Sequence, residues 1–258
     1  MRFSSLGSGS EGNSLLIASS SGATTTHVML DCGFGLKEVE RRLVRIGLDP
    51  TKLSGIIVTH EHSDHIGGVF KLARRYRIPV WLTHGTFEAA PRDEITGVDV
   101  RVCRDSDPFA IGDIELTPYT VPHDAREPVQ YLASDGKRKL GVLTDIGQAT
   151  PHVIDALNAC DALLLEFNHD SEMLSRSAYP SWLKSRIAGP LGHLSNAASA
   201  ELLAALDKSR LRTLVAAHLS QKNNTPQLAQ QAIDSVISAD GIEVVIAAQD
   251  HGFGWIDC

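Results

Sequence analysis

The sequence predicts an α/β (α+β) protein with strands packed centrally and helices outside, and three observations support this. In both halves of the chain, short apolar segments between turn residues come first, and segments with helical spacing of apolar residues follow. No short-period repeat, low-complexity tract or linker separates the halves, so we interpret residues 1–258 as one domain. With 43% apolar residues, a chain of 258 residues can build a sizeable core.

The first third of the chain predicts five strands and two amphipathic helices. The strands are expected at residues 2–6, 14–18, 27–30, 55–59 and 80–82. Apolar spacing indicates helices over residues 36–46, which Gly47 ends, and over residues 66–76, which end before Pro79. The Gly/Ser-rich loop at residues 7–13 could present N–H groups to a phosphate, or it could be a tight turn between two strands.

The rest of the chain predicts several short strands, followed by an alternation of helices and strands. Strands are expected at residues 109–111, 114–117, 129–133, 140–143, 162–167, 214–217 and 243–246. Helices are expected from Pro151, near Met173, near Trp182, and over residues 196–206 and 227–237. This alternation favours helices that cover the outside of a sheet.

Composition excludes several classes of protein. No apolar run approaches the roughly 18 residues that a membrane span needs, and the N-terminal segment lacks the apolar stretch of a signal peptide. The four cysteines are scattered without a CxxC pair, so neither a disulfide scaffold nor a thiolate zinc site is expected. We expect a cytoplasmic location. A formal charge of −7 argues against binding nucleic acid through a broad basic surface.

The most informative segment is the histidine-rich run that follows the predicted strand at residues 55–59. Alternate residues of an extended chain point the same way, so His60 and His62 can offer imidazoles to one metal ion. Asp64 and His65, where the next helix begins, can face a second ion beside the first. Imidazole and carboxylate ligands suit zinc, manganese or iron.

This run, HxHxDH, resembles the signature of the metallo-β-lactamase superfamily, and the resemblance covers essentially the whole chain. It implies a four-layer αββα sandwich. It also implies roles for single residues that each follow a predicted strand: Asp31 would orient the ligand loop, and three others would be metal ligands, namely His123, Asp145 and His218.

Further segments resemble the YycJ/WalJ-type subfamily, which is allied to ribonuclease Z and to cyclic phosphodiesterases. They are residues 166–170 and 192–196, together with the Gly/Ser-rich start and the segment after His218. The resemblance implies that His193 is a catalytic acid, with a helix-capping or core histidine as the alternative. Asn168 and His169 would contact the site or substrate, and a structural role for His169 stays open.

The resemblance implies a metal-dependent phosphodiesterase that uses a hydroxide activated by two divalent ions per chain, Zn²⁺ or Mn²⁺, with iron as a further option. One ion would be held by His60, His62 and His123. The other would be held by Asp64, His65 and His218, with Asp145 between them. Asp64 and His193 are the candidate catalytic residues. The expected substrate is DNA or RNA, cleaved by a nuclease of the 5′→3′ exonuclease type, with no membrane partner.

Two other functions remain open at this point. A small-molecule hydrolase, either a cyclic phosphodiesterase or a thioesterase of the glyoxalase II type, would use the same metals with a different pocket. A metal-binding protein without catalysis is the third class, which the complete ligand set disfavours. Basic clusters near Arg42, Arg74 and Arg138 could contact nucleic acid or be ordinary solvated faces. The oligomeric state is left open, with a homodimer as one option, as are the roles of His84 and His251.

Overall fold

Two seven-stranded sheets dominate the computed structural model, which describes residues 1–237 and 241–258. The elements of the first half, in chain order, are β1 (Arg2–Gly7), β2 (Ser14–Ser21), β3 (Thr24–Leu30), α1 (Leu36–Arg45), a 3₁₀ turn (Pro50–Lys52), β4 (Gly55–Ile57), α2 (Ser63–Ile66), α3 (Val69–Tyr76), β5 (Val80–Thr83), α4 (His84–Ala89), α5 (Arg92–Ile95) and β6 (Val100–Cys103).

The second half adds eight strands and five helices within the described residues. In chain order they are β7 (Phe109–Ile111), β8 (Ile114–Thr120), β9 (Val129–Ser134), β10 (Lys139–Leu143), α6 (Pro151–Leu157), β11 (Ala162–Glu166), α7 (Ser171–Arg176), α8 (Ser181–Ile187), α9 (Asn196–Ala205), β12 (Thr213–Ala217), α10 (Pro226–Asp234), β13 (Glu243–Ile246) and β14 (Phe253–Asp257).

Each sheet combines an antiparallel part with a parallel part. The first sheet has the spatial order β14-β1-β2-β3-β4-β5-β6, and the second has the order β13-β12-β11-β10-β9-β8-β7. Strands β3 to β6 are parallel to one another, and so are β10 to β13. Because parallel strands end at the same edge, each sheet has one edge from which several loops emerge together.

Three apolar clusters hold the layers together. The first lies between the sheets and joins Phe3 and Ile17 of one sheet to Leu116 and Tyr131 of the other. A second cluster packs helices α6, α9 and α10 on the outer face of the second sheet. The third packs α1 and α3 on the first sheet, with Leu43 and other apolar side chains fully buried. The order helix, sheet, sheet, helix confirms the predicted αββα sandwich.

Several local predictions differ from the structure. The single helix expected over residues 66–76 is split into α2 and α3, because Gly67 and Gly68 end the first helix and the chain turns there. The strand expected at residues 55–59 ends at Ile57. Four elements were not predicted: α4, α5, β6 and β14.

Two expectations about the chemistry of the chain can be compared with the structure. All four cysteines are buried and unpaired. Among the described residues, no helix has both the length and the apolar character to cross a membrane.

Candidate metal centre

The candidate ligands gather because nearly all of them follow a strand at the edge where strands of both sheets end. Asp31 directly follows β3, and the run from His60 to His65 follows β4. From the second sheet come residues after three further strands: His123 after β8, Asp145 after β10 and His218 after β12. Loops at the carboxyl ends of parallel strands are where open α/β sheets bind ligands.

Three histidines form one cluster. His60 Nε2 lies 3.0 Å from His62 Nδ1, which in turn lies 3.3 Å from His123 Nε2. His60 and His123 are buried, whereas the side chain of His62 is 30% exposed at the mouth of the site. Three imidazole nitrogens at such short separation can bind one ion.

A second cluster of carboxylate and imidazole groups lies beside the first. His65 Nε2 is 3.4 Å from Asp64 Oδ2, and His218 Nε2 is 3.7 Å from the same oxygen. Asp145 lies between the clusters, with Oδ2 3.0 Å from His65 Nε2 and Oδ1 3.9 Å from His123 Nε2. The structure thus brings together all seven residues that the sequence suggested as ligands.

The outer nitrogens of His60 and His65 are held by acceptors, which leaves the inner nitrogens for a metal. His65 Nδ1 donates to Asp31 Oδ2 at 2.8 Å, and the Asp31 carboxylate also accepts from the amide and hydroxyl of Thr59. His60 Nδ1 lies 2.9 Å from Thr59 Oγ1. Asp31 therefore contacts the back of His65 rather than the cluster itself, as expected for a residue that orients a ligand.

The same arrangement holds on the second sheet. His123 Nδ1 donates to the carbonyl oxygen of Gly192 at 3.1 Å, and His218 Nδ1 lies 3.3 Å from Glu166 Oε1. In each ring, Nε2 is the atom directed at the ligand cluster. An acceptor on one ring nitrogen leaves the lone pair on the other, which is the form that binds metal.

The electrostatics of the second cluster suit a cation. Burial raises the pKa of Asp145, but the imidazoles of His218 and His65 bring it well below its ordinary value. Burial lowers the pKa of His218, yet the carboxylates of Asp145, Asp64 and Glu166 raise it to about 10. Asp145 Oδ2 and His218 Nε2 are buried without a hydrogen-bond partner among the described residues. A divalent ion would satisfy both atoms, so the donor set fits a metal site.

A buried carboxylate that the sequence reasoning did not single out organises this centre. Glu166 ends β11 and is fully buried. Its oxygens accept from the amides of Asp145 and Leu194 at 3.1 and 2.9 Å. Oε1 also lies 2.9 Å from Nδ1 of His193, the predicted acid. Glu166 therefore fixes the orientation of the His193 ring, whose side chain is 21% exposed.

Asn168 and His169 take different positions. Asn168 Nδ2 donates to the carbonyl oxygen of His218 at 3.0 Å and so helps to hold that residue. His169 is buried but belongs to neither ligand cluster, and its Nδ1 has no hydrogen-bond partner within residues 1–237 and 241–258. It lines a groove beside the centre, which is considered below.

The Gly/Ser-rich loop supports the ligands from outside instead of offering amides to a phosphate. The amide of Gly9 donates to Asn13 Oδ1, and the amide of Glu11 donates to Gln249. The amide of Asn13 donates to the carbonyl oxygen of Asp64 at 2.8 Å. Ser8 Oγ accepts from the amide of His218. The sequence reasoning did not suggest this contact. These contacts favour the tight-turn interpretation of the loop.

The remaining histidines lie away from the ligand clusters. His84, His152 and His251 are exposed. His27, which was expected at the surface, is half-buried against Trp255. Among the described residues, none of these four belongs to a group that could hold a metal ion.

Known proteins resemble this chain over most of its length. The family model described as "Beta-lactamase superfamily domain" matches residues 26–219. The chain is 34% identical to the exodeoxyribonuclease YycJ of Bacillus anthracis, over 97% of this chain and 94% of that protein. It is 33% identical to the exodeoxyribonuclease WalJ of Streptococcus pneumoniae, over 93% and 89% of the two chains.

A solved structure extends the comparison to the fold. The metallo-β-lactamase fold protein YhfI from Bacillus subtilis superposes with a TM-score of 0.72 at 16% identity, covering 99% of each chain. The match to the family model spans the run at His60 and reaches just past His218, so it includes every candidate ligand. The chain therefore belongs to the metallo-β-lactamase superfamily and, within it, to the family of YycJ and WalJ.

Proposed function

We propose that this chain is a metal-dependent phosphodiesterase that acts on nucleic acid, an exodeoxyribonuclease like its relatives YycJ and WalJ. The observation that carries the proposal is the pairing of two ligand clusters with a histidine that Glu166 holds at their edge. The polarity 5′→3′, expected from the sequence resemblance, belongs to the same proposal.

The two clusters would hold two divalent ions, with zinc or manganese as the first candidates and iron as a third. His60, His62 and His123 would bind one ion, and Asp64, His65 and His218 the other, with Asp145 shared. Such ions supply Lewis acidity toward a phosphoryl group and a water nucleophile that is deprotonated near neutral pH.

The protein's own groups would orient the substrate and move one proton. His193 Nδ1 is engaged by the Glu166 carboxylate, so Nε2 is the atom that can donate a proton to the oxygen of the leaving nucleotide. His193 is 5.3 Å from His218 and from His123, measured between ring centroids, which places it at the side of both clusters. Asp64, 24% exposed, would contribute to the reacting site as well as to metal binding.

We also propose that residues 1–258 form one catalytic domain in the cytoplasm. Support for one domain comes from the ligand set, since strands of both sheets contribute to it, and from the apolar cluster between the sheets. Four buried, unpaired cysteines are typical of a reducing compartment.

The test combines metal analysis with hydrolysis assays. Purified protein would be analysed for bound metal and assayed on single- and double-stranded DNA and RNA, with and without a 5′-phosphate, beside a cyclic phosphodiester and a thioester. We expect His62→Ala to lose metal and activity. His193→Ala should keep metal and fold but turn over about 10²–10⁴-fold more slowly.

The control is His152→Ala, which removes an exposed histidine away from the clusters and should change neither property. Hydrolysis of the thioester alone would replace the proposal with a glyoxalase II-like activity. Full activity of metal-free His62→Ala protein would contradict the metal-dependent mechanism.

A further inference from the structure

The segment that contains α7 and α8, residues 171–187, is fixed against the candidate centre. The carbonyl oxygen of Ile187 accepts from the amide of His193 at 2.8 Å. Arg186 Nε donates to Asp124 Oδ2 at 2.6 Å, and the other oxygen of Asp124 lies 3.5 Å from His123 Nε2. Helix α8 therefore lies directly beside the candidate reacting groups.

A groove of about 520 Å³ lies between α7 and α8. Its polar lining consists of one ammonium group, four hydroxyls and one imidazole: Lys184, Ser171, Ser175, Ser181, Ser185 and His169. The imidazole is the buried one whose Nδ1 has no hydrogen-bond partner in the part of the chain that the structure describes. An ammonium group among hydroxyl donors suits the oxygens of a phosphate.

An exposed aromatic side chain stands on the same helix. Trp182 is 67% exposed, although it has the largest apolar surface of any residue type. It lies four residues before Arg186, so it shares the helix face that reaches Asp124. Unpaired bases stack on such aromatic surfaces in proteins that bind single strands.

In each basic cluster suggested by the sequence, one arginine is engaged in a structural contact. Arg42 is buried and donates to the carbonyl oxygen of Leu6, and Arg74 donates to that of Glu94. Arg138 pairs with the buried carboxylate of Asp161. Residues 171–187 carry three basic side chains and one acidic one beside the centre, in a chain of net charge −7. Arg176 pairs with Glu172 and Arg186 pairs with Asp124, whereas Lys184 Nζ donates to a neutral carbonyl oxygen, that of Ser175, and so has no carboxylate among the described residues to neutralise its charge.

We infer that residues 171–187 bind the substrate strand next to the scissile phosphate. Lys184 and the serine hydroxyls of the groove contact a neighbouring phosphate, and Trp182 stacks on a base. The occupant is a single strand of DNA, since stacking on an exposed indole requires an unpaired base. This inference rests on the proposed function, and it assigns the substrate-binding surface of that site.

Binding of a fluorescein-labelled, phosphorothioate-linked oligothymidylate, which resists hydrolysis, tests the phosphate contact. Lys184→Gln should weaken binding about tenfold and make the slope of log affinity against log salt shallower by about 0.7. The matched control, Lys37→Gln at an exposed position of α1, makes the same charge change and should do neither. Equal affinities of the two variants would overturn the inference.

Lys184 Nζ also donates to the carbonyl oxygen of Ser175, so a structural effect must be separated from a phosphate contact. Lys184→Arg keeps the charge and should restore most of the affinity and of the salt slope. If Lys184→Arg is as weak as Lys184→Gln, the lysine acts by packing α7 on α8, and the inference is wrong.

Trp182→Ala tests stacking independently and should weaken binding about tenfold, with Trp182→Phe intermediate. If Trp182→Ala binds with unchanged affinity, Trp182 does not stack on a base, and that part of the inference is wrong. Assays of wild-type protein on DNA and on bis(p-nitrophenyl) phosphate separate the two proposals. If the wild-type protein hydrolyses neither compound, the proposed function is contradicted. The binding comparison still decides whether the groove holds a strand.

Discussion

Three candidate site residues have backbone conformations that side-chain-bearing residues rarely adopt. Asp31, Asp145 and His218 have φ values of 58°, 50° and 57°, in the left-handed region. Each such residue costs roughly 1–3 kcal/mol, so the surrounding structure must hold it. Here side chains do so: Glu166 accepts from the amide of Asp145, and Ser8 accepts from the amide of His218. The turns aim all three side chains inward from the strand ends.

Glu166→Gln tests whether this buried carboxylate positions the reacting groups. The amide retains one acceptor oxygen, so it cannot serve His193, His218 and three backbone amides as the carboxylate does. We expect metal affinity or turnover to fall about 10–100-fold, the usual effect of losing a group that orients ligands. Metal content and steady-state kinetics would measure it.

The matched control for that change is Glu201→Gln, at an exposed position on α9. It should match wild-type protein in metal content and in kcat. A Glu166→Gln variant with wild-type metal content and kcat would show that His193 and His218 keep their positions without the carboxylate.

Motif reasoning suggested the candidate ligands and Asp31 behind them, but it did not suggest Glu166 or Ser8, for a physical reason. His60, His62, Asp64 and His65 lie within six positions of the chain, in a pattern that has little structural purpose without a metal. Glu166 ends an ordinary apolar strand, and its partners come from loops after β10, β12 and α8. Such contacts exist only once the sheets are formed, so spacing along the chain does not reveal them.

At the scale of elements, close approach of backbones explains two glycines near the ligand run. A Cβ on Gly33 would overlap the carbonyl group of Asp64, and a Cβ on Gly68 would overlap that of Phe34. The turn after β3 and the break between α2 and α3 therefore pack backbone against backbone. This contact sets how far α2 lies from the first sheet, and thus where Asp64 and His65 lie.

Gly33→Ala should consequently damage both stability and metal binding. Relief of the overlap requires α2 to move, so the free energy of unfolding should fall by about 1–3 kcal/mol. Urea unfolding and metal content would be measured together. Gly35→Ala is the control, because a Cβ there meets nothing within 4 Å and its φ of −61° suits alanine. Equal stability of both variants would contradict the packing argument.

Prediction of elements succeeded where periodicity is local and failed where pairing is distant. Helix α1 and the parallel strands other than β6 were predicted within a few residues, since their apolar spacing is complete within each segment. Strand β14 was missed because its partner is β1, with Asp257 opposite Arg2. Its sequence, FGWID, contains a glycine and alternates only weakly, so nothing local indicates a strand.

At the scale of the molecule, stabilising ion pairs and the candidate site lie at opposite ends of the second sheet. Asp161 precedes β11 and lies where β10, β11 and β12 begin. Its carboxylate pairs with Arg138 at 2.9 Å and with Arg210 at 2.8 Å, and it accepts from the amide of Lys139. The candidate ligands Asp145 and His218 follow the other ends of β10 and β12.

Asp161→Asn should lower stability without changing the site. Burial raises the pKa of Asp161, but the Lys139 amide and the two guanidinium groups lower it below its ordinary value. A lowered pKa stabilises the folded state above the unfolded pKa of about 3.9, and the effect is lost as pH falls through the folded pKa. We expect a loss of about 2 kcal/mol at neutral pH, which shrinks below about pH 4.

Urea unfolding of wild-type and Asp161→Asn protein across that range measures the effect, with Asp155→Asn on the exposed side of α6 as control. Metal content of Asp161→Asn at neutral pH should match wild-type protein. A stability difference that stays constant down to acid pH would mean that hydrogen-bond geometry, and not the charge of Asp161, stabilises this end of the second sheet.

Metal removal should destabilise the opposite end. Loops from both sheets meet there, and without a cation the buried Asp145 carboxylate has only the imidazoles around it, with His65 Nε2 3.0 Å from Oδ2. At free metal about 100–1,000 times above Kd, binding adds about 2.7–4.1 kcal/mol, so a chelator should lower Tm accordingly. Hydrogen exchange should then rise in the loops that carry His62 and His218 and stay slow around Asp161.

His62→Ala protein should respond little to the chelator, because the first cluster has lost a candidate ligand. A Tm that no chelator changes in wild-type protein would mean that the two sheets are held at this edge by their side chains alone.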